Sequence, residues 1–240
     1  MSQSVKNSII ILTRDRQKVL GQCLDSLYKN ISLVKSEIIL IDNGSKDDNH
    51  YLLKKYKAIK FIKLPQNVGV SAGRNIGVSN TQGRYLIFLD DDAIIKNNPF
   101  SEITKFMDKN KDIGIVGPKL LYPNNQIQES VRKFPTPLSV LWRGTFLHKI
   151  APNVSFYKNY LLGDFDHKQI KEVDWVLGAC QIVRREVFNS IGFLDEKYFY
   201  GYEDIDFCYR AKRAGWKVVY YPYSKIIHHY RRESAKGFIN

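Results

Sequence analysis

Four short apolar runs dominate the pattern of the first 90 residues. They are rich in isoleucine and cover residues 8–13, 37–42, 59–64 and 85–89. Continuous runs of this length are typical of strands buried on both faces of a parallel sheet. Between the runs, apolar residues recur at helical spacing, as at Leu20, Leu24 and Leu27. This spacing predicts helices over 15–30 and over 69–80. A further helix is predicted to start at residues 45–48, with Ser45 as its N-cap and Asp48 as the capping partner three residues on.

Strands that alternate with helices in this way predict an α/β fold with a mostly parallel sheet and right-handed crossovers. Ligands of such sheets bind beyond the carboxyl ends of the strands. The residues at those ends are Thr13, Asp42, residues 65–67 and residues 90–92. Most of these positions carry carboxylate or amide groups, which makes this edge of the sheet the candidate site.

The second half of the chain has a less regular pattern. Residues 119–172 contain four prolines and many aromatic residues, and we interpret them as a loop-rich insert. Around this insert the pattern predicts further elements: helices over 99–110, 185–191 and 202–214, strands over 113–116, 217–221 and 225–228, and a strand and turn over 173–183.

Composition and charge narrow the class of protein. The 37 basic and 24 acidic residues leave a net charge of +13, which favours anionic partners, although a lysine-rich solubilising surface explains it equally well. Three widely spaced cysteines fit a reducing, intracellular compartment. Because we find no signal peptide and no apolar run of spanning length, we expect a cytoplasmic protein. A peripheral contact with the inner face of the cell membrane stays open.

Three consecutive aspartates, Asp90, Asp91 and Asp92, follow the fourth apolar run directly. Adjacent carboxylates repel each other, and a hard divalent cation would relieve that repulsion. Alternate residues of an extended segment point the same way, so Asp90 and Asp92 could converge while Asp91 points elsewhere. The alternative is an exposed acidic turn or a helix cap.

Several short motifs, in this order and at this spacing, resemble the family 2 glycosyltransferases, which have the GT-A fold. The motifs are IIILTR at 9–14, IDNGS at 41–45, NVG at 67–69, GRNIG at 73–77, FLDDD at 88–92, WVLGAC at 175–180, FLDE at 193–196 and YEDID at 202–206. The later motifs look most like bacterial members that resemble rhamnosyltransferases of cell-surface polysaccharide synthesis.

The resemblance implies a single GT-A domain over residues 1–240. Residues 1–117 would form a half that binds the nucleotide sugar, on a mostly parallel sheet flanked by helices. Residues 118–240 would form a smaller, mixed region that binds the acceptor. It implies an inverting transfer of a sugar from a UDP- or dTDP-sugar to a saccharide or lipid-linked saccharide, with Mn²⁺ or Mg²⁺ as cofactor.

On the donor side, the resemblance places Asp42 on the pyrimidine base and Thr13 on the nucleotide. The alternatives are an Asx turn for Asp42 and a simple strand terminus for Thr13. The family often has Tyr-Asn after this threonine, whereas Arg14 and Asp15 stand here.

Asn67, Gly69 and Arg74 form a second donor-side group. Gly69 would let the backbone approach the ligand closely. Arg74 offers a planar fork for phosphate, or a buried ion pair with Asp42 or with the aspartate triplet.

The resemblance makes Asp92 the direct metal ligand and Asp90 a contact to the ribose or to the metal, and it places Asp91 among the residues that bind the nucleotide sugar. It adds His228, rather than His229, as a further metal ligand; the alternative is a surface histidine pair in a basic tail. That tail, which includes Arg231, Arg232 and Lys236, could close over the diphosphate or touch anionic lipid.

Acceptor chemistry is assigned to the later motifs. Asp204 matches the family's general base, with Glu203 as the second choice, although carboxylates in the first turn also simply cap a helix. Trp175, Gly178 and Ala179 are expected to line the acceptor side, and a core position is the alternative for Trp175.

Two other functions compete with this interpretation. A sugar nucleotidyltransferase would need a glycine-rich loop after the first strand, and residues 14–17 contain no glycine. A basic nucleic-acid-binding module would fit the charge, but we find no recognisable nucleic-acid-binding motif and expect no nucleic-acid partner.

Overall fold

A computed structural model of the chain describes residues 6–46, 49–151 and 154–229. The strands in this part of the chain are β1 (Asn7–Thr13), β2 (Ser36–Asp42), β3 (Ile59–Lys63), β4 (Tyr85–Asp90), β5 (Ala93–Ile95), β6 (Ile113–Leu121), β7 (Val131–Arg132), β8 (Lys171–Glu172), β9 (Trp175–Val176), β10 (Cys180–Arg184) and β11 (Lys217–His228). The helices are α1 (Gln17–Asn30), α2 (His50–Lys55), α3 (Val70–Ser79), α4 (Pro99–Lys109), α5 (Pro137–Gly144), α6 (Leu147–Ile150), α7 (Ser155–Leu161), α8 (Arg185–Ile191) and α9 (Glu203–Arg213).

One large mixed sheet organises the molecule, in the order β3-β2-β1-β4-β10-β6-β11-β5, with β8 paired to β11. The strands β3, β2, β1 and β4 run parallel, whereas β10 lies antiparallel between β4 and β6. A second small sheet pairs β7 with β9. The predicted α/β class, with a parallel first half and a mixed second half, is confirmed.

The register of the parallel strands aligns their carboxyl ends. Thr13 lies beside Asp42, and Leu12 lies beside Asp90. Three of the predicted site positions therefore meet at one edge of the sheet, as the apolar runs indicate.

Both faces of the sheet are buried, which is why the strands are continuously apolar. In β4, Tyr85, Ile87 and Leu89 belong to one core cluster, and Leu86 and Phe88 belong to the other. The first cluster is covered by α1 and α4, and the second by α8 and α9. Each fully buried side chain of this size contributes about 1.5–3 kcal/mol to the free energy of unfolding, so the site rests on a rigid platform.

Several predicted elements differ from the structure. The strand and turn predicted over 173–183 are two strands, β9 and β10, on either side of a turn. Ser45 is not a helix cap: α2 begins at His50, and the Ser45 hydroxyl instead accepts the Asp15 N–H at 3.0 Å. The predicted partner Asp48 lies outside the described residues, as does the basic tail with Arg231, Arg232 and Lys236. The strand predicted over 113–116 continues to Leu121, because pairing with β11 extends through Gly117 and Pro118.

The second half is also more ordered than its pattern suggests. Residues 119–172 contain β7, β8 and three short helices. The two predicted late strands are one strand, β11, with a register shift between Tyr221 and Lys225. Within the described residues, no helix has the length and apolar character that crossing a bilayer requires.

Candidate active site

Two strand ends bring a carboxylate pair and an imidazole together. Asp90 ends β4 and Asp92 follows it, while His228 ends β11, where it pairs with Ala93 of β5. One ligand atom each from Asp90, Asp92 and His228 lies within 4.8 Å of the others. The predicted convergence of Asp90 and Asp92 is confirmed, and His228 is the inward-facing histidine of the pair, being 3% exposed.

Charge couples these three side chains. His228 Nε2 lies 3.1 Å from Asp92 Oδ1 and 3.6 Å from Asp90 Oδ2. Burial alone would lower the pKa of His228, but the two carboxylates outweigh it and raise that pKa to about 9. Burial also acts to raise the pKa of Asp92, but His228 and Arg16 outweigh it and lower that pKa to about 2.

A side chain behind His228 fixes its orientation. Gln128 Oε1 lies 2.9 Å from His228 Nδ1, so Nδ1–H donates to it and Nε2 faces the carboxylates. In the neutral imidazole this arrangement leaves the Nε2 lone pair available to a cation. Two carboxylate groups and one imidazole are a ligand set that suits Mn²⁺ or Mg²⁺, so the residues fit the implied metal.

Arg16 is a member of the site that the sequence analysis missed. Its guanidinium spans 2.8 Å contacts to Asp91 Oδ1 and to Asp92 Oδ2. Thr13 Oγ1 donates to Asp91 Oδ2 at 2.6 Å, so Asp91 points away from the metal-ligand cluster, as predicted. Burial raises the pKa of Asp91 to about 7, although Arg16 and Thr13 oppose the shift.

The sequence did carry a signal for Arg16. This residue occupies the N-cap position of α1, where the helix dipole disfavours a cation. A basic residue in that position indicates a nearby anion. Gln128 had no comparable signal, because it lies in a segment without periodicity.

Asp42 is fully buried, and its side chain closes the turn after β2 in an Asx-type arrangement, as in the alternative we gave. Its Oδ1 accepts the Ser45 N–H at 2.8 Å, and its Oδ2 accepts from Asn49 Nδ2 at 2.9 Å. A base contact would require a change in this turn, and that role stays a prediction.

Asn67 and Gly69 belong to a network centred on Asn43. Asn43 Nδ2 donates to Asn67 Oδ1 at 2.9 Å and to the Gly69 carbonyl at 3.2 Å, and Asn43 Oδ1 accepts the Val68 N–H. Gly69 has a φ of +87°, and a Cβ there would lie 2.7 Å from the Phe199 carbonyl oxygen. The close approach at Gly69 is thus to the protein's own backbone, and its predicted contact with a ligand stays untested.

Arg74 joins the donor side to the later motifs. Its Nη2 lies 3.0 Å from Asp90 Oδ1 and donates to the Gly178 carbonyl at 2.9 Å, and its Nη1 lies 3.3 Å from Glu203 Oε1. Of the two ion pairs offered as alternatives, the structure has the one with the aspartate triplet. A Cβ at Gly178 would lie 2.7 Å from Arg74 Nη1, which explains the glycine.

Asp204 lies in the first turn of α9 and is 8% exposed. Its Oδ2 accepts the Gly178 N–H at 3.0 Å and its Oδ1 accepts the Ile205 N–H at 2.9 Å. Burial and the neighbouring Glu203 raise the pKa of Asp204 to about 6, against the opposing effect of these hydrogen bonds. A carboxylate with a pKa near neutrality is suited to accept a proton.

Trp175 and Ala179 lie in the core. Trp175 is 6% exposed, its Nε1 donates to the Lys133 carbonyl at 2.9 Å, and Arg132 lies over its ring. Stacking of a sugar on Trp175 would require this packing to open, so its acceptor role stays an untested prediction. Exposed aromatic side chains lie instead in the loop before α9, at Phe199, Tyr200 and Tyr202.

Comparison with known proteins gives the class to which this fold and site correspond. The model of glycosyl transferase family 2 matches residues 8–192, so the chain belongs to that family.

Two curated relatives are similar to much of the chain. The low-salt glycan biosynthesis hexosyltransferase Agl10 of Haloferax volcanii is 30% identical over 81% of the chain, which spans 59% of that relative's length. The N-acetylglucosaminyl-diphospho-decaprenol L-rhamnosyltransferase of Mycobacterium tuberculosis is 26% identical, over 87% of the chain and 72% of the relative.

A solved structure supports the fold. The crystal structure of GalNAc-T7 with UDP, GalNAc and Mn²⁺ superposes with a TM-score of 0.73 at 19% identity, over 96% of this chain and 44% of that one. Together with the strand order, this likeness assigns the GT-A fold.

Proposed function

We propose that this protein is a metal-dependent, inverting glycosyltransferase that moves a sugar from a UDP- or dTDP-sugar to an acceptor hydroxyl. One observation carries the proposal: Arg74 connects the cluster of Asp90, Asp92 and His228 to Glu203, which is next to Asp204. A site for a cation and a buried carboxylate of raised pKa therefore share one network.

On the donor side, Asp90, Asp92 and His228 would hold Mn²⁺ or Mg²⁺. That ion would supply Lewis-acid stabilisation of the negative charge on the leaving nucleoside diphosphate. Asp42, Thr13, Asn67, Gly69 and Asp91 line the same edge of the sheet and keep their proposed nucleotide roles. Arg74 and Arg16 hold the carboxylates in position.

On the acceptor side, Asp204 accepts the proton of the acceptor hydroxyl while the oxygen attacks the anomeric carbon. The bond from that carbon to the diphosphate oxygen breaks, and its electron pair leaves with the nucleoside diphosphate. A single attack from the face opposite the leaving group inverts the configuration. The Gly178 N–H keeps the Asp204 carboxylate oriented for this step.

The names of the relatives support a proposal for the acceptor and for the location of the reaction. The mycobacterial relative is named for a lipid-linked saccharide, and the Haloferax relative for glycan biosynthesis. A saccharide or lipid-linked saccharide made at the cytoplasmic face of the cell membrane is therefore the acceptor class we propose. The loop with Phe199, Tyr200 and Tyr202 is the exposed aromatic surface nearest the proposed base in sequence.

A thermal-shift panel tests the donor and the metal together. The protein is unfolded with UDP, dTDP, GDP or CDP, each in Mn²⁺, Mg²⁺ or EDTA. A ligand at 100 times its dissociation constant adds about 2.7 kcal/mol to the free energy of unfolding. For a chain of this size that is a rise in Tm of roughly 5–10 °C. We expect the rise with UDP or dTDP, and only with metal.

Asp92→Ala is the variant for this panel, and Asp112→Ala is its control, because Asp112 is an exposed carboxylate whose partner is Lys217. The metal-dependent rise should vanish in the first variant and persist in the second. A rise of equal size in Asp92→Ala would remove Asp92 from the metal site. No rise with any nucleotide in the wild type would contradict the proposed function.

A further inference from the structure

An apolar surface lies on the insert. It consists of Leu138, Val140 and Leu141 on α5, together with Phe146 and Ile150 at either end of α6; we call it the apolar patch. Each of these side chains is more than half exposed, from 52% for Leu138 to 71% for Ile150. A soluble protein rarely exposes so many large apolar side chains in one short segment unless they contact something.

The helix that carries most of the patch is anchored from its other side. Trp142 packs edge-on against Phe156 of α7, with ring centroids 5.3 Å apart, and Ser139 is buried in a capping box with Thr136. These contacts hold α5 to the protein while Leu138, Val140 and Leu141 stay exposed. The packing of the opposite side of α5 therefore leaves the patch side chains exposed to solvent.

The segment that carries the patch has charged side chains of one sign only. From Ser130 to Gly163 the sequence has no Asp or Glu, and it has five basic residues, at 132, 133, 143, 149 and 158. Arg143 and Lys149 are exposed and alternate with the patch residues along the chain. A second copy of this face would bring like charges together, whereas an anionic surface would attract them.

We propose that the apolar patch inserts into the interface of an anionic phospholipid bilayer, with Arg143 and Lys149 on the lipid head groups. Short amphipathic helices that combine exposed Leu, Phe and Ile with basic residues bind membranes in this way. This binding does not depend on the proposed transfer reaction.

The patch-bearing segment begins at the candidate active site. Gln128, which contacts His228, and Ser130, whose carbonyl accepts the Leu177 N–H at 2.8 Å, precede it, and β7 pairs with β9. A bilayer bound through the patch would therefore adjoin the acceptor half of the molecule. In this position, the proposed lipid-linked acceptor and the enzyme would occupy the same membrane surface.

Sedimentation with vesicles tests the proposal with the full chain. One set of vesicles contains phosphatidylcholine alone, and the other contains equal parts of phosphatidylcholine and phosphatidylglycerol, with no saccharide lipid in either. We expect the wild type to pellet with the anionic vesicles at low salt and to be released at high salt. Binding without any acceptor lipid distinguishes recognition of the bilayer from recognition of the acceptor.

Two sets of variants separate the apolar and charged contributions. Leu141→Ser, Phe146→Ser and Ile150→Ser together should weaken binding at least about tenfold, because three inserted side chains lose their apolar surface. Arg143→Gln and Lys149→Gln should each weaken binding to anionic vesicles about fivefold. Val34→Ser and Tyr223→Ser are matched controls, since these side chains are as exposed but lie outside the patch.

Thermal unfolding of each variant establishes that it is folded before binding is compared. The proposal is overturned if the folded wild type does not pellet with anionic vesicles at low salt. It is also overturned if the triple variant binds as the wild type does. A dimer in analytical ultracentrifugation that the triple variant abolishes, with vesicle binding unchanged, would assign the patch to a second copy instead.

Discussion

Asp92 in the cluster with Asp90 and His228 and Asp204 in the first turn of α9 are both buried aspartates, but their surroundings differ. Asp92 has Arg16 at 2.8 Å and His228 at 3.1 Å, and its pKa falls to about 2. Asp204 accepts hydrogen bonds from two backbone N–H groups and lies beside Glu203, and its pKa rises to about 6. The first is a permanent anion, and the second can exchange a proton near neutral pH.

This difference indicates how one residue type would serve the two proposed tasks within one network. A group that holds a cation must stay ionised, and cationic neighbours ensure this. A group that takes a proton must have a pKa near the working pH, and at Asp204 burial and the neighbouring Glu203 provide it, because together they outweigh the opposing effects of Arg74 and of the two backbone N–H groups. Arg74 stands between them: it pairs with Asp90 and Glu203 and donates to the Gly178 carbonyl.

Asp204→Asn should have the largest effect, because it removes the proton-accepting member of the two aspartates. An amide cannot accept the proton, so we expect kcat to fall about 10²- to 10⁴-fold. Metal-dependent binding of UDP or dTDP should not change, because the cluster of Asp90, Asp92 and His228 is intact. Steady-state transfer assays and the thermal-shift panel measure the two quantities.

Asp206→Asn is the control for that variant. Asp206 lies in the same turn of α9 but pairs with Arg210 at 2.8 Å, on the surface side of the helix. It should retain near wild-type transfer. If Asp204→Asn also turned over at the wild-type rate, the base would have to be another group, and Glu203 would be the next to test.

The sequence predicted the donor edge well because buried strands have a clear pattern. The ends of the apolar runs place Thr13, Asp42 and Asp90, and the parallel register then brings them together. Contacts between side chains far apart in the sequence were harder to predict. Gln128 reaches His228 across 100 residues, and the segment around it has no periodicity that marks an inward-facing side chain.

The Ser45 cap shows the same limit of local patterns. The sequence Ser-Lys-Asp-Asp has the composition of a helix start, but the Ser45 N–H donates to Asp42 and its hydroxyl accepts from Asp15, 30 residues away. Contacts with the neighbouring strand end thus determined the turn. Trp175, buried against Lys133 and Arg132, likewise depends on pairing between β7 and β9 that no local pattern predicts.

Gln128→Leu should have an intermediate effect. It tests the other side of the comparison, the cluster of Asp90, Asp92 and His228. Leucine keeps the volume but removes the acceptor of the His228 Nδ1–H, so the ring loses its fixed orientation. Loss of such a supporting hydrogen bond costs about 10- to 100-fold in metal affinity. Titration with Mn²⁺ in the presence of UDP, followed by electron paramagnetic resonance, measures it.

Gln126→Leu, at an exposed position two residues earlier, is the matched control for that titration. Its Mn²⁺ affinity should equal that of the wild type. Equal affinities for all three proteins would mean that His228 does not need Gln128, or that it is not a metal ligand.

The pH profile should show the smallest effect and compares the two aspartates directly. Asp92 is already ionised above pH 3, whereas the pKa of Asp91 is raised to about 7. In saturating metal, the change of the acid limb of kcat/KM between the wild type and Glu203→Gln therefore reports Asp204. Because Asp204 acts as the ionised form and its pKa is raised to about 6, kcat/KM should rise with pH through about 6 and then level off. Glu203→Gln removes a negative neighbour that raises this pKa, so the rise should move to lower pH. A profile that is flat between pH 5 and 7 in the wild type, or an unchanged midpoint in Glu203→Gln, would contradict the assignment of Asp204 as the base.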